Sequence, residues 1–417
     1  MATVLLVSID YWPEETGIGP YSTGVAEHLA RAGHEVTVLA GMPHYPQWEV
    51  QPAYRGRWQL REERNGVQIV RRRHYVPGRQ SALRRAAYEG TWLSHAGTAR
   101  LKARPDAILG VIPSLSGGVI ARLMSARTQS AYGVIVQDLV SAAASQSGIH
   151  GGRTAAKLTR RAERWSLARA TIVAPVAEMF RPALLDMGVS DTRIVILANW
   201  SHLSVASGDR QLARQRLGWP ADEWVALHAG NMGLKQGLDQ ILEAGRLADR
   251  ESASVRLVLM GDGSQRQALV DNARGIRRLE FRPFVPTSEL ADVLDAADVL
   301  LLSERSSVVD MSLPSKLTSY FAAGRPIVAA VTSGGASATE LGRAGAGVTT
   351  PAGDGAAMLR AIMDMRDRPD LGRSLGDAGR RYAQDKLGER ATFDQADVIL
   401  DRLLDSTRAR RRMVTRG

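Results

Sequence analysis

Lys316 stands where a lysine is costly unless an anion is near. The run Leu313-Pro314-Ser315-Lys316-Leu317-Thr318-Ser319-Tyr320-Phe321-Ala322-Ala323-Gly324-Arg325-Pro326 predicts a helix opened by Pro314, closed by Gly324 and unable to continue past Pro326. A cation in a first turn opposes the helix dipole. Lys316, with Ser315 beside it, therefore reads as a phosphate contact or as a solvated surface charge. Glycine loops offer the same chemistry from the backbone. They are Gly17-x-Gly19 near the start, Gly230-Asn231-Met232-Gly233-Leu234-Lys235-Gln236-Gly237 in the second half, and Gly261-Asp262-Gly263 beyond it. Glycine lets amides approach a phosphate closely, although Gly17-x-Gly19 alone is also an ordinary turn. No acid ends the second strand, which closes in Ala40-Gly41, so a dinucleotide-type ribose site is not expected. Asp138 follows a strand at its carboxyl end, and reads as an acceptor-site residue or as a helix N-cap. His44 lies in the Pro-rich stretch Gly41-Met42-Pro43-His44-Tyr45-Pro46 and is a candidate substrate contact. No Asp-x-Asp pair ends a strand and no histidines have ligand spacing, so no metal is expected.

The elements that must position these residues follow an alternating rhythm. Short β-branched runs at 4–9, 36–39, 107–112, 134–136, 171–173 and 194–197 are separated by helical patterns near 21–32, 82–102, 158–167 and 177–187. Residues 55–74 break the rhythm and read as extra strands or a loop excursion. The second half repeats the alternation, with strands at 225–228, 255–260, 279–281, 299–302, 327–330 and 348–349. Its helices fall near 237–247, 265–273, 288–295, 315–323, 337–343 and 355–365. Alternation of this kind builds doubly wound parallel sheets. The expected architecture is α/β, two Rossmann-like domains facing a cleft. Residues 1–200 form the first domain and 201–385 the second, with a polar hinge at 199–210. A C-terminal helix over 386–406 returns to the first domain, and 407–417 is a basic tail.

The chain has 417 residues and no cysteine, which excludes disulfides, zinc–thiolate sites and thiol nucleophiles. Asp10 interrupts the first apolar run and no basic segment precedes it, so a signal peptide is not expected. No apolar run is long enough to span a bilayer. These features lead to the expectation of a cytoplasmic protein. Net charge is +11, concentrated in the first half. The basic, aromatic-bearing segment 79–104 fits either a solvated helix or peripheral contact with anionic lipid at the inner membrane face. Nucleic-acid binding is not expected, because no recognition module or stacking pattern accompanies the charge.

At these motifs the chain resembles the GT-B glycosyltransferases, and within them family 4 ("group 1"). The resemblance runs through the N-terminal glycine loop, Asn199-Trp200, Gly230…Gly237, Gly261-Asp262-Gly263, Phe284-Val285-Pro286, Ala322-Ala323-Gly324-Arg325-Pro326 and Gly353-Asp354. The opening Asp10-Tyr11-Trp12-Pro13-Glu14 and the Pro314-Ser315-Lys316 start look most like the colanic-acid type of exopolysaccharide glycosyltransferases. The resemblance implies a retaining, metal-independent transfer from a UDP- or GDP-sugar to a saccharide, lipid-linked (polyprenyl-phosphate) or small-molecule acceptor. It implies a diphosphate cradle from Gly230, Asn231, Gly233, Lys235, Gly261, Asp262, Gly263, Pro314, Ser315 and Lys316. Phe284 and Val285 are implied to read the base, and Gly17 and Gly19 to approach the donor phosphates. Lys316, Lys235 and Asp138 are implied to serve the chemical step, and His44, Gln137 and Asp138 the acceptor. The chain departs from the family at five positions. Asn231 and Gln236 replace the diphosphate arginine and lysine, with Lys235 one position early. Met311 and Ser319 replace the paired glutamates, leaving Ser319 to meet the ribose with a neutral hydroxyl. Glu304, Asp310 and Glu340 are the candidates to compensate, and Gln137 stands where the family has a histidine. A GT-B nucleotide-sugar epimerase and a non-catalytic sugar-binding protein are the rival readings.

Overall fold

A computed structural model describes residues 1–78, 81–139, 152–201, 206, 208–306 and 315–414. Pro314, Asp310, Met311 and Arg79 lie outside the described residues. The chain divides into two compact units, Met1–Asn199 with Thr392–Gly417, and Trp200–Ala391.

The first unit is built from β1 (Thr3–Val7), α1 (Gly19–Arg31), β2 (Glu35–Gly41), β3 (Gln59–Arg64), β4 (Val67–Arg72), α2 (Ala82–Gly97), β5 (Ala107–Ile112), α3 (Leu115–Thr128), β6 (Ala131–Val136), α4 (Gly152–Ala168), β7 (Ile172–Pro175) and α5 (Arg181–Asp186). Its sheet runs β3-β4-β2-β1-β5-β6-β7. Every pairing is parallel except β3 with β4. Strands β5 and β6 are buried at every position, as covering by helices on both faces requires. The sheet reverses direction between β1 and β5, so the loops after these two strands diverge above their carboxyl ends.

Residues 55–74 resolve into a hairpin. Asn65 (φ 46°) and Gly66 (φ 79°) both adopt left-handed conformations, the two-residue turn that matches strand twist. The expected helix 82–102 stops at Gly97, which leaves Arg100, Lys102 and Arg104 beyond it. Residues 194–197 are not a strand. A 3₁₀ turn at Asp191–Arg193 precedes them, and only the single bridge of Ile194 to Val173 forms.

The second unit contains α6 (Arg210–Leu217), β8 (Trp224–Ala229), α7 (Asp239–Arg250), β9 (Val255–Met260), α8 (Arg266–Asn272), β10 (Leu279–Arg282), α9 (Thr287–Ala296), β11 (Val299–Ser303), α10 (Ser315–Ala323), β12 (Ile327–Val331), α11 (Ala336–Ala344), β13 (Gly347–Pro351), α12 (Gly355–Asp367) and α13 (Pro369–Lys386). Its sheet is parallel throughout, in the order β10-β9-β8-β11-β12-β13. The reversal falls between β8 and β11. The core between this sheet and its helices includes Ile241, Leu257, Leu301, Val328 and Ile362. Helix α6 starts inside the expected hinge because Asp209 caps it, accepting from Leu212 N at 2.8 Å.

The last helix, α14 (Glu389–Val414), is longer than the sequence reading placed it, and the basic residues 408–412 lie on it. From Thr392 onward it belongs to the first unit. The Thr407 hydroxyl accepts from Ala131 N at 2.7 Å and donates to Asp106 O at 2.7 Å. His28 stacks on Phe393 at 4.4 Å and pairs with Asp397 at 2.9 Å. Arg411 reaches Asp106 at 2.8 Å. A dispersed basic tail is thereby replaced by a docked helix end.

Candidate functional site

The second unit brings Lys316, His228 and the glycine loops together at its sheet reversal. Strands β8 and β11 pair only at Ala226–Val299 and Leu227–Leu300. Beyond that point side chains fill the seam. His228 Nδ1 donates to Leu301 O at 3.2 Å, and the Tyr320 hydroxyl accepts from Ala229 N at 2.9 Å. In this tautomer His228 Nε2 carries a lone pair, and Lys316 Nζ donates to it at 3.2 Å. Burial, and then the neighbouring ammonium, push His228 well below its usual range, so it stays neutral. Burial likewise pulls Lys316 down to about 8, against the opposing pull of Glu304. The result is an oriented, poorly hydrated ammonium at the start of a helix, an arrangement that a phosphate complements.

The glycines explain themselves by close approach. A Cβ on Gly230, which has φ 148°, would lie 2.8 Å from Lys316 Cε. One on Gly261 would lie 1.9 Å from Gly230 O, and one on Gly263 would lie 2.5 Å from Asn231 Oδ1. Met232 N donates to Asp262 O at 2.7 Å, locking the two loops to each other. The Asp262 carboxylate turns back onto Gly263 N at 2.7 Å. Gln236 Oε1 accepts from Gly233 N at 3.1 Å, so the residue replacing the family lysine braces the loop from within. Lys235 and Asn231 are exposed on the same loop. Phe284 is exposed, with its ring tip next to Gly261, and Val285 is half-buried. Ser319 is half-buried on α10, one turn past Lys316. Ser315 opens α10. Of the carboxylates considered as replacements, Glu340 is buried against the Tyr382 hydroxyl at 2.6 Å. Glu304 accepts from the Ser337 hydroxyl at 2.6 Å and acts electrostatically on Lys316. A cavity of about 420 Å³ beside it is lined by Gly237, Gln240, Glu304 and Arg305 among others.

The first unit has its own cluster where its sheet reverses. Glu14 is buried, yet both of its oxygens are used. Oε1 accepts from His44 N (2.8 Å) and Tyr45 N (2.9 Å), and Oε2 from Tyr11 N (3.2 Å). One carboxylate thus ties the loop after β1 to the loop after β2. Burial still holds its pKa above the ordinary range. His44 is fully buried, with Nδ1 donating to Met42 O at 3.1 Å and Nε2 next to the Tyr88 hydroxyl at 3.2 Å. Burial depresses it to about 4. His44 therefore has no surface for a substrate, and Asp10 Oδ1 lies 3.9 Å from its Nε2. Gly17 (φ 70°) packs against the Tyr45 ring, and Gly19 against the Glu14 carbonyl. Gln137 and Asn199 exchange two amide hydrogen bonds at 2.7 and 3.1 Å. Asp138 Oδ1 accepts from Leu139 N at 2.8 Å. Tyr88 and Trp92, in the segment whose sequence fits either a solvated helix or contact with anionic lipid, are buried in the core, because the apolar stripe of α2 packs on the sheet.

Among the described residues, Asp10, Glu14 and His44 have spacing that could hold a cation, with ligand atoms within 4.8 Å of one another. The Glu14 oxygens and the His44 nitrogens are already committed to protein partners, which fits a metal poorly. Sequence reasoning missed His228, Tyr320, Glu14 and Tyr88 as site residues. The usable signals were a histidine inside an apolar strand and a glutamate between a proline and a glycine loop.

Two family models match the chain, a glycosyl transferase 4-like domain over residues 16–200 and glycosyl transferases group 1 over residues 223–367. A relative from Escherichia coli K12 carrying the name of a colanic acid biosynthesis glycosyl transferase, WcaI, is 30% identical over 77% of this chain and 81% of its own length. The D-inositol 3-phosphate glycosyltransferase of Streptomyces coelicolor is 32% identical over 45% of this chain and 43% of its own. Among solved structures, a sucrose-phosphate synthase from Thermosynechococcus elongatus superposes with TM-score 0.71 at 17% identity, covering 97% of this chain and 100% of that one. Anabaena HepE in complex with UDP-glucose superposes with TM-score 0.64 at 15% identity, covering 96% of this chain and 100% of that one. No helix among the described residues is long and apolar enough to cross a membrane.

Proposed function

Because the chain belongs to the family 4 (group 1) glycosyltransferases of GT-B fold, we infer that it moves a sugar from a nucleoside diphosphate to a saccharide, free or lipid-linked, with retention and without a metal. The observation that carries this reading is the Lys316–His228 pair under Gly230 at the reversal of the second sheet. A diphosphate there meets one desolvated ammonium and the start of α10, in the space that two interlocked glycine loops keep free of side chains. These groups stabilise charge as it grows on the leaving phosphate. The leaving phosphate oxygen then takes the acceptor hydroxyl's proton as the acceptor oxygen bonds to the anomeric carbon on the face being vacated. The protein's share is positioning and electrostatics. Phe284, with Val285, takes the base, and Glu304, which acts electrostatically on Lys316, replaces the ribose glutamate lost at Ser319. UDP and GDP are the expected nucleotides.

The test is thermal shift with UDP, GDP, TDP and ADP, followed by product analysis with the matching sugar nucleotides. One nucleotide at 100 times its dissociation constant should stabilise by about 2.7 kcal/mol. Four flat melting curves, or sugar nucleotides that remain intact with every acceptor, would sink the reading.

A further inference from the structure

Asp10 is poised for a partner that the protein does not supply. It follows β1, at the edge of the first unit where open parallel sheets take ligands. Its side chain is 19% exposed, and its carboxyl has no hydrogen bond among the described residues. The groups around it are spoken for. Glu14 holds three backbone amides, and His44 is spanned by Met42 O and the Tyr88 hydroxyl. Glu89 accepts from Ser114 at 2.9 Å, from Ser116 N at 3.1 Å and from Arg85 at 2.8 Å. Arg85 is half-exposed, with its guanidinium 4.9 Å from the centre of the Tyr88 ring. Its Nη2 is engaged by Glu89 and by Pro113 O, and its Nη1 and Nε make no hydrogen bond among the described residues. Tyr45 and Trp48, with ring centres 6.3 Å apart, stand beside the same loop, and Trp48 lies 5.8 Å from Tyr88.

We propose that Asp10 and Arg85 bind two neighbouring hydroxyls of the acceptor sugar, with the Tyr45 and Trp48 rings as an apolar wall. A carboxyl group, donor-only guanidinium nitrogens and aromatic rings together match a sugar's alternating hydroxyls and C–H face. The inference rests on the glycosyltransferase reading. It goes further by naming where the acceptor's hydroxyls sit and which side chains select them. The groups acting on the Asp10 charge are Glu14, Glu89 and Arg85, with neutral His44 behind. Burial first, and then Glu14, raise the carboxyl to about 8, with Arg85 opposing. Below that pH it is a neutral acid, and above it a stronger hydrogen-bond acceptor.

The experiment compares wild type, Asp10→Ala, Asp10→Asn and Arg85→Gln. Steady-state kinetics use the sugar nucleotide identified above, with methyl glycosides of glucose, galactose, mannose and fucose as acceptor probes. Asp10→Ala and Arg85→Gln should each raise the acceptor KM at least tenfold. The donor KM and acceptor-free donor hydrolysis should stay within twofold. In wild type the acceptor KM should fall as pH rises through about 8, and in Asp10→Asn it should be flat. Saturation-transfer NMR with the same methyl glycosides needs no turnover, so it decides the point even if no donor is consumed. An acceptor KM unchanged in Asp10→Ala, an equal loss of donor affinity, or no glycoside binding to wild type would overturn the proposal. So would activity abolished by EDTA and restored by Mn²⁺, which would give the carboxyl to a cation. If Asp10→Ala fails to fold, Arg85→Gln on the half-exposed face of α2 carries the test.

Discussion

Lys316 is a cation only within limits set by its burial. Its ammonium is charged below about pH 8 and neutral above, because the fold depresses its pKa from that of a solvated lysine. Affinity for a nucleoside diphosphate should accordingly be flat up to about pH 8. Above that it should weaken by up to about tenfold per pH unit, a dependence that Lys316→Met abolishes. Calorimetric titration across pH 6.5–9.5 checks this, and a wild-type affinity constant over that range would count against the ammonium as the phosphate contact. In the chemical step, Lys316→Ala should lower kcat by about 100-fold, the usual cost of removing one stabilising donor. A fall smaller than about tenfold in single-turnover measurements would remove it from the transition state. Lys316 was legible because a lysine after Pro-Ser at a helix start is locally conspicuous. His228 was not, since a histidine within an apolar strand resembles any core residue and its partner lies 88 positions on. Glu14 was also hidden, because its work is to hold backbone amides of a loop thirty residues away.

Strands and helices around the two sheets were readable wherever burial on both faces enforces an apolar run, as in β5, β6 and β11. The hairpin of β3 and β4 needed its turn, Asn65-Gly66, to be weighed above the breaks in hydrophobic pattern. Residues 194–197 misled because an apolar run at a sheet edge can follow its neighbour without forming a ladder. Helix α13 carries three glycines, all of them buried, and such a pattern hides helix formation from propensity. The glycine loops make the clearest element-level prediction. Gly261→Ala places a methyl 1.9 Å from Gly230 O, so the two loops must part. Nucleoside diphosphate affinity should fall at least about tenfold, near 1.4 kcal/mol, while Gly275→Ala, at a φ of 86° with open space around it, should cost stability alone. Calorimetric titration and thermal melts on both variants separate the two effects.

At the scale of the molecule, α14 ties the end of the chain into the first unit. Thr407 is buried and serves both Ala131 N and Asp106 O. Thr407→Val leaves both unpaired, and should cost the first unit about 1–3 kcal/mol. In thermal melts only the transition of that unit should move, with the nucleotide-induced shift of the other intact. Movement of both transitions by equal amounts would show instead that the two units unfold as one.

That docked helix also orders events during synthesis. Residues 1–199 leave the ribosome ahead of the second unit, yet side chains that complete their packing, Phe393, Leu403 and Thr407 among them, are translated after it. The half made earliest is the half finished latest, after the whole of the second sheet has been translated. A stop codon ahead of Thr392 would therefore do its damage in the sheet built from residues 1–199.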